Sequence, residues 1–323
     1  MDINKANMDL FFTEVKTEWQ EAFNIAVAEA MMGKVAMQVP SKTAITTHGW
    51  LKQIPAMRKW VGDRVVNNVE SQPLAVSNVK YEGTTEITRE EFEDDQYGLY
   101  INIFRNMASS AVLNKDRAVI DALLQGTVNT WADSVAVFSA AGRTYGANTI
   151  KNYVTTAYDA AGTALTTAIA DIGSYLGHGG TPLFAKPKYI LHGPALRTKV
   201  QQSLSTYAAL LAANTSTYVG GQIENPNANI VTPIETAWLT DGYVDLNGTT
   251  YSNAGKHWFI LSEISGIKGL VYQSRLEPEL QDQRAKLDSE YLFTTDKLQW
   301  GTRMRGAGFV SFPHLVYGGF ATS

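Results

Sequence analysis

The densest group of side chains able to do acid–base or metal chemistry lies between Glu86 and Asp95. Glu86, Glu90, Glu91, Glu93, Asp94 and Asp95 stand there against Arg89 alone. Three readings compete. Carboxylates this dense can hold a hard cation or supply a general acid and base. Acidic residues also suit the first turn of a helix, where they meet the positive end of the macrodipole. In the third reading the cluster answers a basic stretch just upstream, Lys52, Arg58, Lys59 and Arg64. Opposite patches of this kind, within one chain or between neighbours, steer association more than they add raw stability. The rest of the chain offers little chemistry. None of the histidines, His48, His178, His192, His257 and His314, is paired at metal-binding spacing, so they read as surface or satisfied core residues. Gly306-Ala307-Gly308 begins like a dinucleotide fingerprint but lacks the third glycine and a following helix, and reads as a bulge or a close-packing point. With no nucleophile elbow and no phosphate-binding loop, no catalytic, cofactor-binding or metal-binding residue is expected, and the chain reads as a non-enzyme.

Composition narrows the class. The chain has 323 residues, 45% apolar and 18% charged, enough for a sizeable core in one large or two smaller domains. The net charge of −4 argues against a protein that grips nucleic acid, which usually carries a basic surplus. Without cysteine there are no disulfides and no thiolate sites, so synthesis in the cytosol is the simpler expectation. Met1-Asp2-Ile3-Asn4-Lys5 does not read as a secretory signal, and no apolar run is long enough to span a bilayer.

The elements follow from periodicity. Leu10, Val15, Trp19, Phe23, Ala26, Val27 and Ala30 predict an amphipathic helix over 10–32. Residues 38–64, broken by Pro40, Gly49, Pro55 and Gly62, read as loop anchored by Trp50 and Trp60, which are expected to be buried. A hairpin is expected over 65–88, one arm through Val65, Val66 and Val69, the other through Val79, Tyr81, Thr85 and Ile87. It holds few large apolar residues and would pack poorly alone, which suits an arm laid on a partner. A helical stripe follows over 89–125, with Thr88 and Glu91 as a capping box, Gly98 as a kink or division and Gly126 as a stop. Beyond it, a helix is predicted over 148–173, a strand at 188–191, a helix opening at Pro194, a polar loop at 214–229, and strands at 258–261 and 270–272. Leu298, Trp300, Thr302 and Met304 alternate with Gln299, Gly301, Arg303 and Arg305, as in a strand with one buried face.

Several runs resemble the major head subunits of Mu-like bacteriophages. They are Gly49-Trp50-Leu51, Ile54-Pro55, Met57-Arg58 and Trp60-Val61-Gly62-Asp63-Arg64, then Glu93-Asp94-Asp95-Gln96-Tyr97-Gly98 with Tyr100. Asn225-Pro226, His257-Trp258-Phe259, Arg275 and Pro278-Glu279 are similar to later landmarks of that family. The strong matches cover about residues 45–125; residues 130–255 are only loosely similar. The resemblance implies an α+β, Hong Kong 97-like capsid fold. Its parts would be an N-terminal arm (1–45), an entry segment of the peripheral domain (46–64), an extended β-hairpin loop (65–88), the spine helix (89–130), an axial αβ domain (131–280) and C-terminal strands shared by both domains (281–323).

On that resemblance the chain would be a major capsid protein. It would assemble into the hexamers and pentamers of an icosahedral head around double-stranded DNA, in the virion after assembly in the bacterial cytoplasm. A scaffold protein, a portal and a decoration protein are the implied partners; DNA is held as non-specific content, and no membrane is involved. Some relatives cross-link neighbours through Lys and Asn, but no motif identifies such a pair here, so contacts are expected to be noncovalent. Lys52, Arg58, Lys59, Arg64, Glu90, Glu91, Asp94 and Asp95 are candidate interface residues, with Trp50, Trp60, Tyr97 and Tyr100 as structural anchors. Deleting 70–80 is expected to permit folding and prevent closed shells. An encapsulin-like compartment shares the implied fold and is the near alternative. A surface-adhesion or glycan-binding β protein is the distant one, suggested by 15 tyrosines and 7 tryptophans.

Overall fold

The computed structural model describes residues 5–51, 71–94, 98, 100–145, 148–177, 180–205, 207–209, 222–284 and 288–322. Its longest helices are Lys5–Glu29 and Ile101–Leu124. The amino-terminal helix buries Phe11, Val15 and Trp19. Of the predicted stripe, Leu10 and Val27 face solvent instead. Successive residues lie about 100° apart around a helix, so Leu10 and Phe11 cannot share the centre of one narrow face. The long helix keeps the predicted period, burying Phe104, Ala108, Ala111, Val112, Val119 and Leu123. The capping box is present: the Thr88 hydroxyl accepts from the Glu91 N–H at 3.3 Å, and the Glu91 carboxylate accepts from the Thr88 N–H at 3.0 Å. It caps a separate short helix, Arg89–Asp94. Gly98, at φ +63°, lies between the two helices in the left-handed region that ends a helix.

Leu270–Arg284 and Lys297–Val310 pair antiparallel at the centre of a four-stranded sheet. Ala36–Pro40 joins parallel at one edge, and Val79–Thr88 antiparallel at the other. Leu298, Trp300 and Met304 are buried and Arg303 is exposed, the predicted alternation. A second sheet runs Thr232–Glu235, Lys186–His192, Trp258–Ile264, Val316–Gly319, Tyr153–Val154, with Ile267–Lys268 beside Trp258–Ile264. The predicted strands at 188–191 and 258–261 are both in it. After Val310 the chain passes from the first sheet to the second, so its last part serves both. One core joins the long helix to both sheets through Val119, Leu123, Leu191, Phe259 and Tyr272. Thr163–Gly173 covers the opposite face of the second sheet, where Ile190, Trp258 and Ile260 point. A side chain at Gly308 would run into the backbone of Ala118. Both readings of Gly306-Ala307-Gly308 find a place: Gly308 is a close-packing point, and the partner strand bulges between Ser274 and Leu276, opposite Gly306 and Arg305.

Three expectations need correction. The helix predicted over 148–173 begins only at Thr163; Asn148–Ile150 and Tyr153–Val154 are short strands. The buried Asn152 amide donates to the carbonyls of Val137, Pro313 and Val316 at 2.9–3.2 Å and binds the segment across the fold. The helix starts where the Asp159 carboxylate accepts from Thr163 and Ala164 N–H. Second, the loop predicted over 38–64 contains strands, Ala36–Pro40 and Ile45–Leu51. Third, the hairpin is displaced from 65–88: Ile45–Leu51 pairs antiparallel with Ser71–Ser77, as a two-stranded ribbon outside both sheets. Val79–Thr88 belongs to the four-stranded sheet instead. Pro40 misled because it sits on an edge strand, where a missing N–H costs little. Val65, Val66 and Val69 lie outside the described residues. A deletion of 70–80 would therefore remove half the ribbon and the start of a sheet strand, so replacing 52–70 is the cleaner cut. No helix among the described residues is long and apolar enough to cross a membrane.

Candidate subunit interface

The acidic cluster is brought to one end of the four-stranded sheet. Thr88 pairs with Lys297, and the Arg89 N–H donates to the Asp296 carbonyl at 3.0 Å. This sets the helix Arg89–Asp94 beside a second short helix, Glu290–Thr295. Among the described residues, two of the carboxylates are engaged within the chain. Glu86 accepts from Lys297 Nζ at 2.6 Å and from the Tyr291 hydroxyl at 3.1 Å, and these bonds hold its carboxyl below the ordinary range. Glu91 is held low by its bonds from the Thr88 backbone and hydroxyl. Glu90 and Asp94 are exposed. Among the described residues no three His, Asp or Glu side chains are grouped to hold a metal ion. Glu91 thus serves the helix-start reading, while Glu90 and Asp94 lie exposed on the outside of the chain.

The sequence reading missed Phe293. It stands 92% exposed on the helix Glu290–Thr295, while its neighbour Leu292 is buried. The Ser289 hydroxyl caps that helix by accepting from Leu292 N–H at 3.1 Å. The available signal was a serine cap followed by adjacent apolar residues, of which one turn of helix can bury only one. Ile45 on the ribbon is 57% exposed, and Leu10 and Ile25 on the amino-terminal helix are 65% and 54% exposed. The ribbon, the helix Glu290–Thr295 and the amino-terminal helix thus all carry large apolar groups on the outside of the chain.

Of the predicted anchors, Tyr100 is half-buried ahead of the long helix, against the cluster of Phe104 and Trp300. Trp50 lies in the ribbon strand Ile45–Leu51, its side chain outside the described set. Lys52, Arg58, Lys59, Trp60, Arg64, Asp95 and Tyr97 lie outside the described residues, as does His178. The remaining histidines have structural surroundings. His192 Nδ1 lies 2.9 Å from the Gly193 carbonyl, His48 Nε2 lies 2.7 Å from Gln273 Oε1, and His314 Nδ1 lies 3.2 Å from the Tyr145 hydroxyl. Burial pushes His257 down to about 4.

The chain resembles known proteins in sequence and in fold. The major capsid protein of Escherichia phage Mu is 36% identical over 112 residues, 34% of this chain and 37% of that protein. The Mu-like prophage FluMu major head subunit of Haemophilus influenzae is 32% identical over 102 residues, 32% of this chain and 33% of that protein. The aligned stretch thus spans about a third of each of these curated relatives. Among solved structures, the procapsid of bacteriophage JBD30 matches 99% of this chain and 77% of its own, with a TM-score of 0.54 at 22% identity. That likeness is one of fold, the α+β Hong Kong 97-like capsid fold. The sequence profile of the Mu-like prophage major head subunit gpT matches residues 8–164 and 240–322, well over half of the chain, which therefore belongs to that family.

Proposed function

We propose that the chain is a major capsid protein whose copies self-assemble into the hexamers and pentamers of an icosahedral phage head. The observation that carries the reading is the ribbon, Ile45–Leu51 with Ser71–Ser77, which among the described residues forms a two-stranded sheet of its own outside the two larger sheets. A shell subunit needs no active site. It needs repeated heterologous contacts that close by curvature, and an arm reaching onto a neighbour supplies them. In this reading 1–45 is the N-terminal arm, the ribbon is part of the extended loop, and Ile101–Leu124 is the spine helix. The four-stranded sheet belongs to the peripheral domain and the second sheet to the axial domain. The basic segment with Lys52, Arg58, Lys59 and Arg64 meets Glu90 and Asp94 of the next copy, with Phe293 as an apolar contact beside them. A scaffold protein, a portal and a decoration protein assist. The net charge of −4 fits a wall that encloses double-stranded DNA without gripping it. The product is a virion part built in the bacterial cytoplasm, and no reaction is assigned to it.

The test is expression of the chain, alone and with its neighbouring gene products, followed by negative-stain electron microscopy. Closed shells, or sheets and tubes of hexamers, support the reading. A chain that stays monomeric beside its scaffold overturns it. Nuclease-protected DNA in the particles favours a head, and an enclosed protein cargo favours the encapsulin-like alternative.

A further inference from the structure

The joint between ribbon and body holds a buried polar residue that the shell reading alone does not require. Gln273 is 0% exposed in the strand Leu270–Arg284, beside the buried apolar residues Val271 and Tyr272. Its amide engages both arms of the ribbon. Oε1 lies 2.7 Å from His48 Nε2 on the outgoing arm. Nε2 donates to Asn78 Oδ1 at 2.8 Å and lies 3.5 Å from the Val76 carbonyl on the returning arm. The His48 ring also packs 5.0 Å from Phe309, which pairs with Val271 in the sheet. Asn78 is the one residue between the ribbon strand Ser71–Ser77 and the sheet strand Val79–Thr88. Its side chain donates to Ser41 Oγ at 2.9 Å and to the Thr43 carbonyl at 2.8 Å, and its N–H to the Ala44 carbonyl at 2.9 Å. Ser41 in turn donates its N–H to the Ser274 carbonyl at 2.7 Å. The place where the chain leaves the body and the place where it returns are thus tied to the same point on one central strand.

We infer that Gln273 is a positioning residue that fixes the angle of the ribbon to the body, and through it the curvature of the assembly. A buried amide left unsatisfied costs free energy, so the joint is stable only where both ends of the amide are bonded at once. An apolar side chain of similar length would fill the space and accept many angles. Repacked sites of that kind lose uniqueness before they lose stability. The inference about assembly rests on the shell reading; the fixed angle does not.

The test begins with unassembled subunits. The chain contains no cysteine, so Ala75→Cys on the ribbon and Asn102→Cys on the long helix, both exposed, take spin labels cleanly. Pulsed electron–electron resonance then gives the distribution of ribbon-to-body distances. The parent is expected to give one narrow distribution. Gln273→Met should widen it at least about twofold with little change in melting temperature. His48→Phe keeps the ring contact with Phe309 and removes the hydrogen bond, and should widen it likewise if Gln273→Met fails to fold. A distribution as narrow as the parent's in the folded variants overturns the inference, whether or not the protein forms shells. Under assembly conditions the variants should give mixed sizes or tubes where the parent gives one particle. A widened distribution with parent-like particles would remove the link to curvature, and with it the inference as stated.

Discussion

His257 and His314 carry the clearest acid sensitivity of single residues. Burial holds both near 4; Arg143 lowers His314 further, while Asp241 opposes the shift at His257. A histidine depressed in the fold is neutral there while the unfolded chain already takes up a proton near pH 6.5. Below that pH the unfolded state binds more protons, so stability present above pH 6.5 is lost as pH falls towards 4. Each residue should contribute roughly 1–3 kcal/mol to that loss. Melting temperature followed from pH 7 to 4.5 should fall, and His314→Gln should flatten the slope. An equal slope in parent and variant would remove His314 as a cause. At this scale the sequence was only half legible. The histidines were read as surface or satisfied core residues, but His257 Nδ1 is buried without a hydrogen-bond partner among the described residues, and nothing in the local sequence says that His314 faces Tyr145, 169 positions away. Phe293 was illegible for a related reason, because a sequence shows two adjacent apolar residues and not which one the tertiary fold leaves out.

Polar ties fasten elements to each other, and Glu277 links an edge strand, a central strand and the long helix. Its carboxylate accepts from Gln38 on the strand Ala36–Pro40 at 2.6 Å, from Ser274 at 2.5 Å, and from Lys115 on the long helix. Burial raises the Glu277 carboxyl, but the bonds from Lys115, Ser274 and Gln38 outweigh it and hold the group below its ordinary value. The Lys115 side chain is only 4% exposed. Glu277→Ala would leave that ammonium buried and unpaired, at a cost of about 1–3 kcal/mol because Glu277 itself is half-exposed. Lys115→Met should cost less, since it leaves only the more exposed partner alone. Chemical denaturation that ranks the two the other way would show that the tie is not what holds the helix to the strands. Removing the ring of Trp300, which meets Phe104 at 5.0 Å and Phe11 at 6.3 Å, should cost about 3–5 kcal/mol as Trp300→Ala and release the amino-terminal helix first. Faster amide exchange in 11–19 than in 104–124 would register that order; equal rates would oppose it. Long elements with a clean period were legible: the helix Ile101–Leu124 and the strand Lys297–Val310 fall where their spacing puts them. The ribbon was not. Its β-branched signal at Ile45-Thr46-Thr47 is no stronger than the one at Val65-Val66, and pairing across the intervening residues is a tertiary fact.

For the whole molecule the open question is whether its opposite charges pair within one chain or between copies, and ring geometry can separate the two. Glu90→Lys with Asp94→Lys reverses the exposed acidic side and leaves the Glu91 cap intact; Arg58→Glu with Lys59→Glu reverses the basic side. If the patches meet between copies, either double variant alone puts like charges together at every contact. Assembly should slow on the order of tenfold at low salt and recover partly as salt screens the repulsion. Pairing within a chain would also be damaged in each variant, so this result does not yet decide. Mixing the two variants does. A contact between copies is restored wherever the variants alternate, because each reversed acidic side then faces a reversed basic side and each unaltered pair faces its complement. A pairing within the chain stays broken in every molecule of the mixture. A ring of six can alternate throughout, but a ring of five must place two identical variants side by side. The mixture should therefore give hexamers, sheets or tubes while remaining poor in closed shells. The quadruple variant, with both sides reversed in every copy, should close normally. A mixture no better than its parts, with a quadruple variant that closes, would place the pairing inside the chain and leave Phe293 and the ribbon to make the contact between neighbours.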